Sequence, residues 1–254
     1  MKAVSKSIIA CTFAAATMFS GAASAAPFND FTVAPGGGYA NFTADKITGN
    51  YTETAIFNTD GTFSVDLTWR AGQFVGNDGN TPYDGFETGL GVAYRLYATY
   101  TASGTYSVAN GITTFNFLAD TGDLNLYMNR PGVAGSETLL ATGNPLSGEG
   151  TLNPGLSTCS ASGGINCGSF GASSTFELTD AGSAFFIAPN PFYTFSFQSG
   201  QLNNFTPSGT QTINGSLDVV FGGTAEVPEP ASVALLGLGM LGLYGARRRN
   251  KKAA

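Results

Sequence analysis

The sequence contains no histidine. That removes Ser-His-Asp and Cys-His catalysis, His-ligated zinc and the commonest general base at neutral pH, although two carboxylates alone still suffice for glycoside hydrolysis. Positive charge is almost missing from the middle of the chain. Between residues 26 and 230 only Lys46, Arg70, Arg95 and Arg130 are basic, whereas all 17 acidic residues lie there, so this body carries −13 against −6 for the whole chain. Nucleic acid needs the opposite sign and is excluded as a partner. Catalytic fingerprints are also lacking: Ser147-Gly148-Glu149-Gly150 is not a nucleophile elbow, and no pair of carboxylates stands out by context. The body is therefore expected not to be an enzyme and to need no cofactor.

What is present is clearest at the two ends. Residues 1–25 have the layout of a secretory signal peptide: Lys2 and Lys6, an apolar stretch over 8–19, then Ala23-Ser24-Ala25 as an A-x-A site for signal peptidase, with Ala23 and Ala25 flanking the central serine. Cys11 follows Lys6 too closely to be a lipoprotein cysteine. At the other end, Val227, Pro228, Glu229 and Pro230 precede an uncharged run over 231–246 and a basic end over 247–252 that begins with Arg247, Arg248 and Arg249. A helix over that run spans roughly 24 Å, and snorkelling arginines close the gap to a ~30 Å hydrocarbon core. The basic end stays cytoplasmic, which places the body on the outer side of an inner membrane that holds the chain transiently. The two prolines keep the preceding backbone extended, as suits a processing enzyme that draws substrate into a cleft.

This tail, VPEPASVALLGLGMLGLYGARRR, resembles the PEP-CTERM sorting domain of proteins exported by Gram-negative bacteria and handed to an exosortase. The resemblance implies transient anchoring, processing near the motif, and delivery to the cell surface or extracellular matrix. It covers only 227–254, leaving 26–226 as the exported domain.

The body is rich in Thr, Ser, Asn, Gly and aromatics, a composition of strands and turns. Over 62–70, Phe63, Val65, Leu67 and Trp69 alternate with polar residues, which places them on the core. The turn Asn58-Thr59-Asp60-Gly61 predicts a hairpin with 47–57. Asn110-Gly111 predicts a type I′ turn between strands over 105–108 and 112–118. Further strands are expected over 93–100, 138–142, 175–178, 184–188, 193–198 and 216–221, with Leu124, Leu126 and Met128 alternating between them and Leu217, Val219 and Phe221 pointing one way. About ten strands predict an all-β, β-sandwich-like single domain, with 143–174 as a long glycine- and serine-rich loop. Cys159 and Cys167 lie in that loop, and export predicts a local disulfide worth about 2–3 kcal/mol.

Two kinds of binding residue are candidates. Asn77-Asp78-Gly79-Asn80 with Asp84 and Glu87 is the densest oxygen cluster; Asp78, Asn80 and Asp84 are the weak calcium candidates, although the spacing is not that of an EF-hand and the same residues form turns. Asp120, Asp123 and Asn125 form a poorer cluster. Aromatics over Tyr94, Tyr97, Tyr100 and Tyr106, and over Phe192, Tyr193, Phe195 and Phe197, could stack on sugars, but Tyr94 and Tyr100 share a strand parity that Tyr97 does not, so some must be core.

Segments FTADKITGNYTE (42–53), WRAGQFVGNDG (69–79), PFYTFSF (191–197) and SLDVVF (216–221) resemble the flocculation-associated PEP-CTERM proteins. That resemblance implies a role in cell aggregation, flocculation or biofilm formation with extracellular polysaccharide. A discrete glycan-binding module, or a carboxylate-based polysaccharide hydrolase or lyase, is the alternative.

Overall fold

The turn at 58–61 forms as expected: Asp60 Oδ1 accepts from the Thr62 amide at 3.0 Å and its hydroxyl at 2.6 Å, and Gly61 takes φ +84°. This is a computed structural model and describes residues 28–161 and 163–223. The signal peptide with Ala23 and Ala25, and the tail with Val227, Pro228, Glu229, Pro230 and Arg247, Arg248 and Arg249, lie outside the described residues. Among those described, no helix is long and apolar enough to cross a membrane.

The chain opens with β1 (Phe31–Val33), β2 (Phe42–Ala44), β3 (Lys46–Phe57), β4 (Thr62–Gly76), β5 (Thr81–Pro82) and the short α1 (Gly85–Thr88). It continues through β6 (Arg95–Ala109), β7 (Ile112–Phe117), β8 (Leu124–Asn129), β9 (Thr138–Gly143), β10 (Pro145–Leu152) and α2 (Ser157–Ala161). The last elements are β11 (Gly168–Thr175), β12 (Glu177–Leu178), α3 (Asp180–Phe185), β13 (Phe186–Ala188), β14 (Phe195–Leu202) and β15 (Gly209–Gly222).

These strands form a closed barrel rather than the expected sandwich. Eight of them pair in the order β3-β4-β6-β7-β10-β11-β14-β15 and back to β3, every pair antiparallel. Closure depends on β6, whose one edge pairs with β4 while its other edge serves two partners: β7 along residues 104–109 and β8 along 95–100. The second partner starts a side sheet, β8-β9-β12, that leaves the barrel wall. Closing the sheet removes its exposed edges, which an open sandwich would have to protect by other means. Alternation identifies strands but not which edges meet, so this feature was out of reach from sequence.

Inside, large rings pack over glycines. A Cβ on Gly49 would stand 2.5 Å from Trp69 Nε1, and one on Gly104 would stand 2.5 Å from the Phe63 ring. Gly104 therefore does not break the strand: the two stretches predicted over 93–100 and 105–108 are one continuous β6. Phe63, Val65, Leu67 and Trp69 all face the interior, as their alternation required. A bulge opposite Thr48 and Gly49 then shifts the parity of β4, so that Phe74 rather than Gln73 turns inward.

Three further expectations change. Residues 143–174 are not a long loop: β10 and β11 pair across the barrel wall, and only the turn between them, with α2, carries the Cys159–Cys167 disulfide. Gly148 and Gly150 look like loop residues, yet they sit in β10 beneath the rings of Phe117 and Phe115. The strand expected over 184–188 is half helix, because the Thr179 hydroxyl caps α3 by accepting from the Gly182 amide at 3.0 Å. The Asn110-Gly111 turn does take positive φ at both residues, 52° and 78°.

Both barrel ends are closed by rings. At one, the small sheet β13-β1-β2 presents Phe31, whose ring meets Phe74, Phe186, Phe192 and Phe221 at 5.1–6.5 Å. At the other, Phe205 in the β14–β15 connection stacks on Phe57 at 5.8 Å and Phe115 at 5.9 Å.

Candidate functional site

The oxygen-rich cluster is committed to local structure. Asn77, Asp78 and Gly79 all take positive φ in the β4–β5 turn, and the Gly79 amide donates to both oxygens of the buried Asp45, at 3.1 and 3.0 Å. The Asn80 amide nitrogen donates to the carbonyls of Asn77 and Asp78. Asp84 is the N-cap of α1, accepting from the Phe86 amide at 2.8 Å, and Glu87 completes the capping box. Asn80 thus bonds to Asp78 within the turn while Asp84 caps α1, and among the described residues no group of three or more Cys, Asp or Glu side chains gathers as a metal site. Asp120 occupies a positive-φ turn position, and Asp123 donates its amide to the Thr101 hydroxyl.

The aromatics separate by parity. Tyr94 and Tyr100 are buried, and Tyr106 packs on Phe57 at the barrel end. Phe192 belongs to the ring cluster that closes the other end, and Tyr193 donates to the Asp30 carbonyl at 2.8 Å. Phe197 is exposed on the outer wall.

Tyr97 points outward and meets what sequence reading had not paired with it. Across the β6–β8 ladder it stacks on Tyr127, with centroids 5.1 Å apart and planes 17° from parallel. Its hydroxyl donates to the Glu137 carboxylate, and Arg70 is its neighbour across the β4–β6 ladder. Desolvation by these neighbours, and then the Glu137 carboxylate, push the Tyr97 phenol up to about 12, so it remains a donor at neutral pH. The outer ring faces of this stacked pair, with a carboxylate and a guanidinium beside them, can contact the C–H face of a sugar and bind its hydroxyls. A second polar surface, a shallow groove lined by Thr114, Glu149, Thr151, Ser199, Gln201 and Asp218, crosses the outer wall from β7 to β15.

The barrel interior holds a different chemistry. A cavity of about 80 Å³ is lined by rings and aliphatic side chains, and among them stand Glu53, Tyr100, Ser196 and Gln198. Glu53 makes no hydrogen bond and no ion pair with any described residue, and burial raises its carboxyl from 4.5 to about 7. Tyr100, raised to about 12 mainly by burial, has no hydrogen-bond partner for its hydroxyl among the described residues; Ser174 Oγ is close enough to weigh on it but falls short of bonding geometry. Gln198 donates to Ser196 Oγ at 2.7 Å, and its carbonyl oxygen has no partner among the described residues. Sequence reasoning missed Glu53. The signal was there: it shares its parity with Ile47, Tyr51, Ala55 and Phe57, and an acid on an apolar face is the anomaly to look for.

Residues 226–249 match the family model for the PEP-CTERM protein-sorting motif. No curated protein and no solved structure matches the chain. The match takes in Val227, Pro228, Glu229 and Pro230, the uncharged run and Arg247, Arg248 and Arg249. The motif implies an exported protein with a C-terminal sorting signal that an exosortase processes.

Proposed function

We propose that this PEP-CTERM protein is a structural component of the cell surface or extracellular matrix of a Gram-negative bacterium, promoting cell aggregation with extracellular polysaccharide. Signal peptidase and exosortase process it, the inner membrane holds it transiently, and its barrel is not an enzyme. The observation that carries this reading is the outward Tyr97–Tyr127 stack between Arg70 and Glu137. It is an outward aromatic and charged platform on a domain whose tail directs it out of the cell. The charge of −13 over residues 26–230 keeps such a domain dispersed until it meets its polymer. Against hydrolysis inside the barrel, Glu53 has no second carboxyl among the described residues lining the cavity with it, as a two-carboxylate mechanism there would require.

The test is aggregation of producing cells. Deleting the gene, or replacing Glu229 and Pro230 by alanine, should leave cells dispersed while polysaccharide is still secreted. Tyr97→Ala with Tyr127→Ala should weaken aggregation in protein that is exported and folded. No single Asp or Glu substitution should abolish it. Normal aggregation by the double tyrosine variant removes the platform from the reading. Loss of aggregation on one Asp→Asn change in stable protein replaces the whole reading with a defined active site.

A further inference from the structure

Several polar groups inside the barrel face the apolar cavity without partners among the described residues. Glu53, Tyr100 and Gln198 stand on β3, β6 and β14, three strands of the wall, and line the cavity; the Glu53 carboxyl, the Tyr100 hydroxyl and the Gln198 carbonyl have no hydrogen-bond partner among the described residues, and the Ser174 hydroxyl on β11 lies beside Tyr100. Turning over the Gln198 amide does not help: Ser196 would then serve the carbonyl and leave the nitrogen alone. Burying one such group unpaired is costly, and a carboxyl more so. A barrel that needed only to be stable would carry leucine or alanine here, as it does at Leu67, Ala98 and Ala172 on the same lining.

The kind of ligand follows from what the lining offers and what it lacks. The unpartnered atoms are acceptors or hydroxyls: a carboxyl, an amide carbonyl, a phenol and an alcohol. Among the described residues, no Lys or Arg lines the cavity. The four basic residues of the body lie elsewhere: Lys46 is paired with Asp218 at 3.2 Å, and Arg70, Arg95 and Arg130 are exposed. An anionic head group would find no counter-charge. An ammonium group would find a carboxylate, two or three further acceptors, and ring faces from Trp69, Phe57, Phe63 and Phe170. The negative body favours its approach.

We propose that the barrel interior is a binding site for a small apolar amine, with the ammonium held by Glu53, Tyr100 and Gln198 and the carbon chain among the rings. At the observed ring positions, about 80 Å³ suits a chain of roughly three or four non-hydrogen atoms. Entry is past Phe205. The 203–208 segment that carries it has no strand pairing; it is tied down by Asn204, whose amide donates to the Gly164 carbonyl at 2.7 Å in the disulfide turn, and by Asn203, which donates to the Asn214 carbonyl at 2.6 Å. The site is independent of the outer tyrosine platform, so either reading can fail alone.

Trp69, the single tryptophan, lines the cavity and reports occupancy. Exported protein is titrated at pH 8 with propylamine, propanol and propionate, followed by Trp69 fluorescence and by calorimetry. Propylamine should saturate at one site and bind at least tenfold more tightly than propanol, and propionate should not bind. Glu53→Gln should erase the preference for the amine, while Tyr97→Ala should leave it intact. Phe205→Ala should speed association without changing the order of affinities, which keeps the test informative if the Glu53 variant folds poorly. Equal binding of amine and alcohol, or no saturable binding by any of the three, overturns the proposal.

Discussion

Glu53→Gln should make the unliganded barrel more stable at pH 8 and not at pH 4. In the folded protein, burial holds this carboxyl near 7, while in the unfolded chain it titrates near its ordinary 4.5. Below 4.5 the group is protonated in both states and costs nothing extra. As pH rises through the window from 4.5 to 7, the unfolded chain ionises first, so the folded state loses stability; above 7 the loss is complete. At ~1.36 kcal/mol per pH unit, the separation corresponds to about 3 kcal/mol. Glutamine keeps the shape and carries no charge, so its barrel escapes this loss. Urea denaturation of both proteins between pH 4 and pH 8 measures it directly. The difference between them isolates one group, since the other carboxylates titrate alike in both. Equal stability of the two proteins at pH 8, or a difference that does not change with pH, would refute the reasoning.

Removing the disulfide by Cys159→Ser with Cys167→Ser should cost about 2–3 kcal/mol in the same denaturation assay, the entropy of a short closed loop. Gly49→Ala should destabilise by at least about 1–3 kcal/mol, because the added carbon would stand 2.3 Å from the Arg70 carbonyl oxygen and 2.5 Å from Trp69 Nε1; a shifted, weakened thermal transition would show it, and an unchanged one would contradict the packing described. Mass spectrometry of protein recovered outside the cell should find a chain that begins near Ala26 and lacks residues 247–252. Recovery of the intact basic end on surface-located protein would contradict exosortase processing.

Local pattern carried the parts of this protein that depend on neighbours in the chain. The PEP-CTERM tail is legible because its motif, apolar run and basic end are contiguous. The 58–61 and Asn110-Gly111 turns, and the inward set Phe63, Val65, Leu67 and Trp69, follow from side-chain hydrogen bonds, positive φ and period two. Cys159 and Cys167 are close enough along the chain to find each other without knowledge of the fold. The tertiary structure decided everything that depends on which edges meet. Because β6 pairs with β4 on one side and with β7 and β8 on the other, the sheet closes, and a sandwich face becomes a barrel interior. Closure brings Glu53, Tyr100, Ser174 and Gln198, separated by up to 145 residues, onto one inner wall. The β6–β8 register, in the same way, lays Tyr97 on Tyr127. Strand parity tells which way a side chain points, but only the pairing of distant strands tells what it points at.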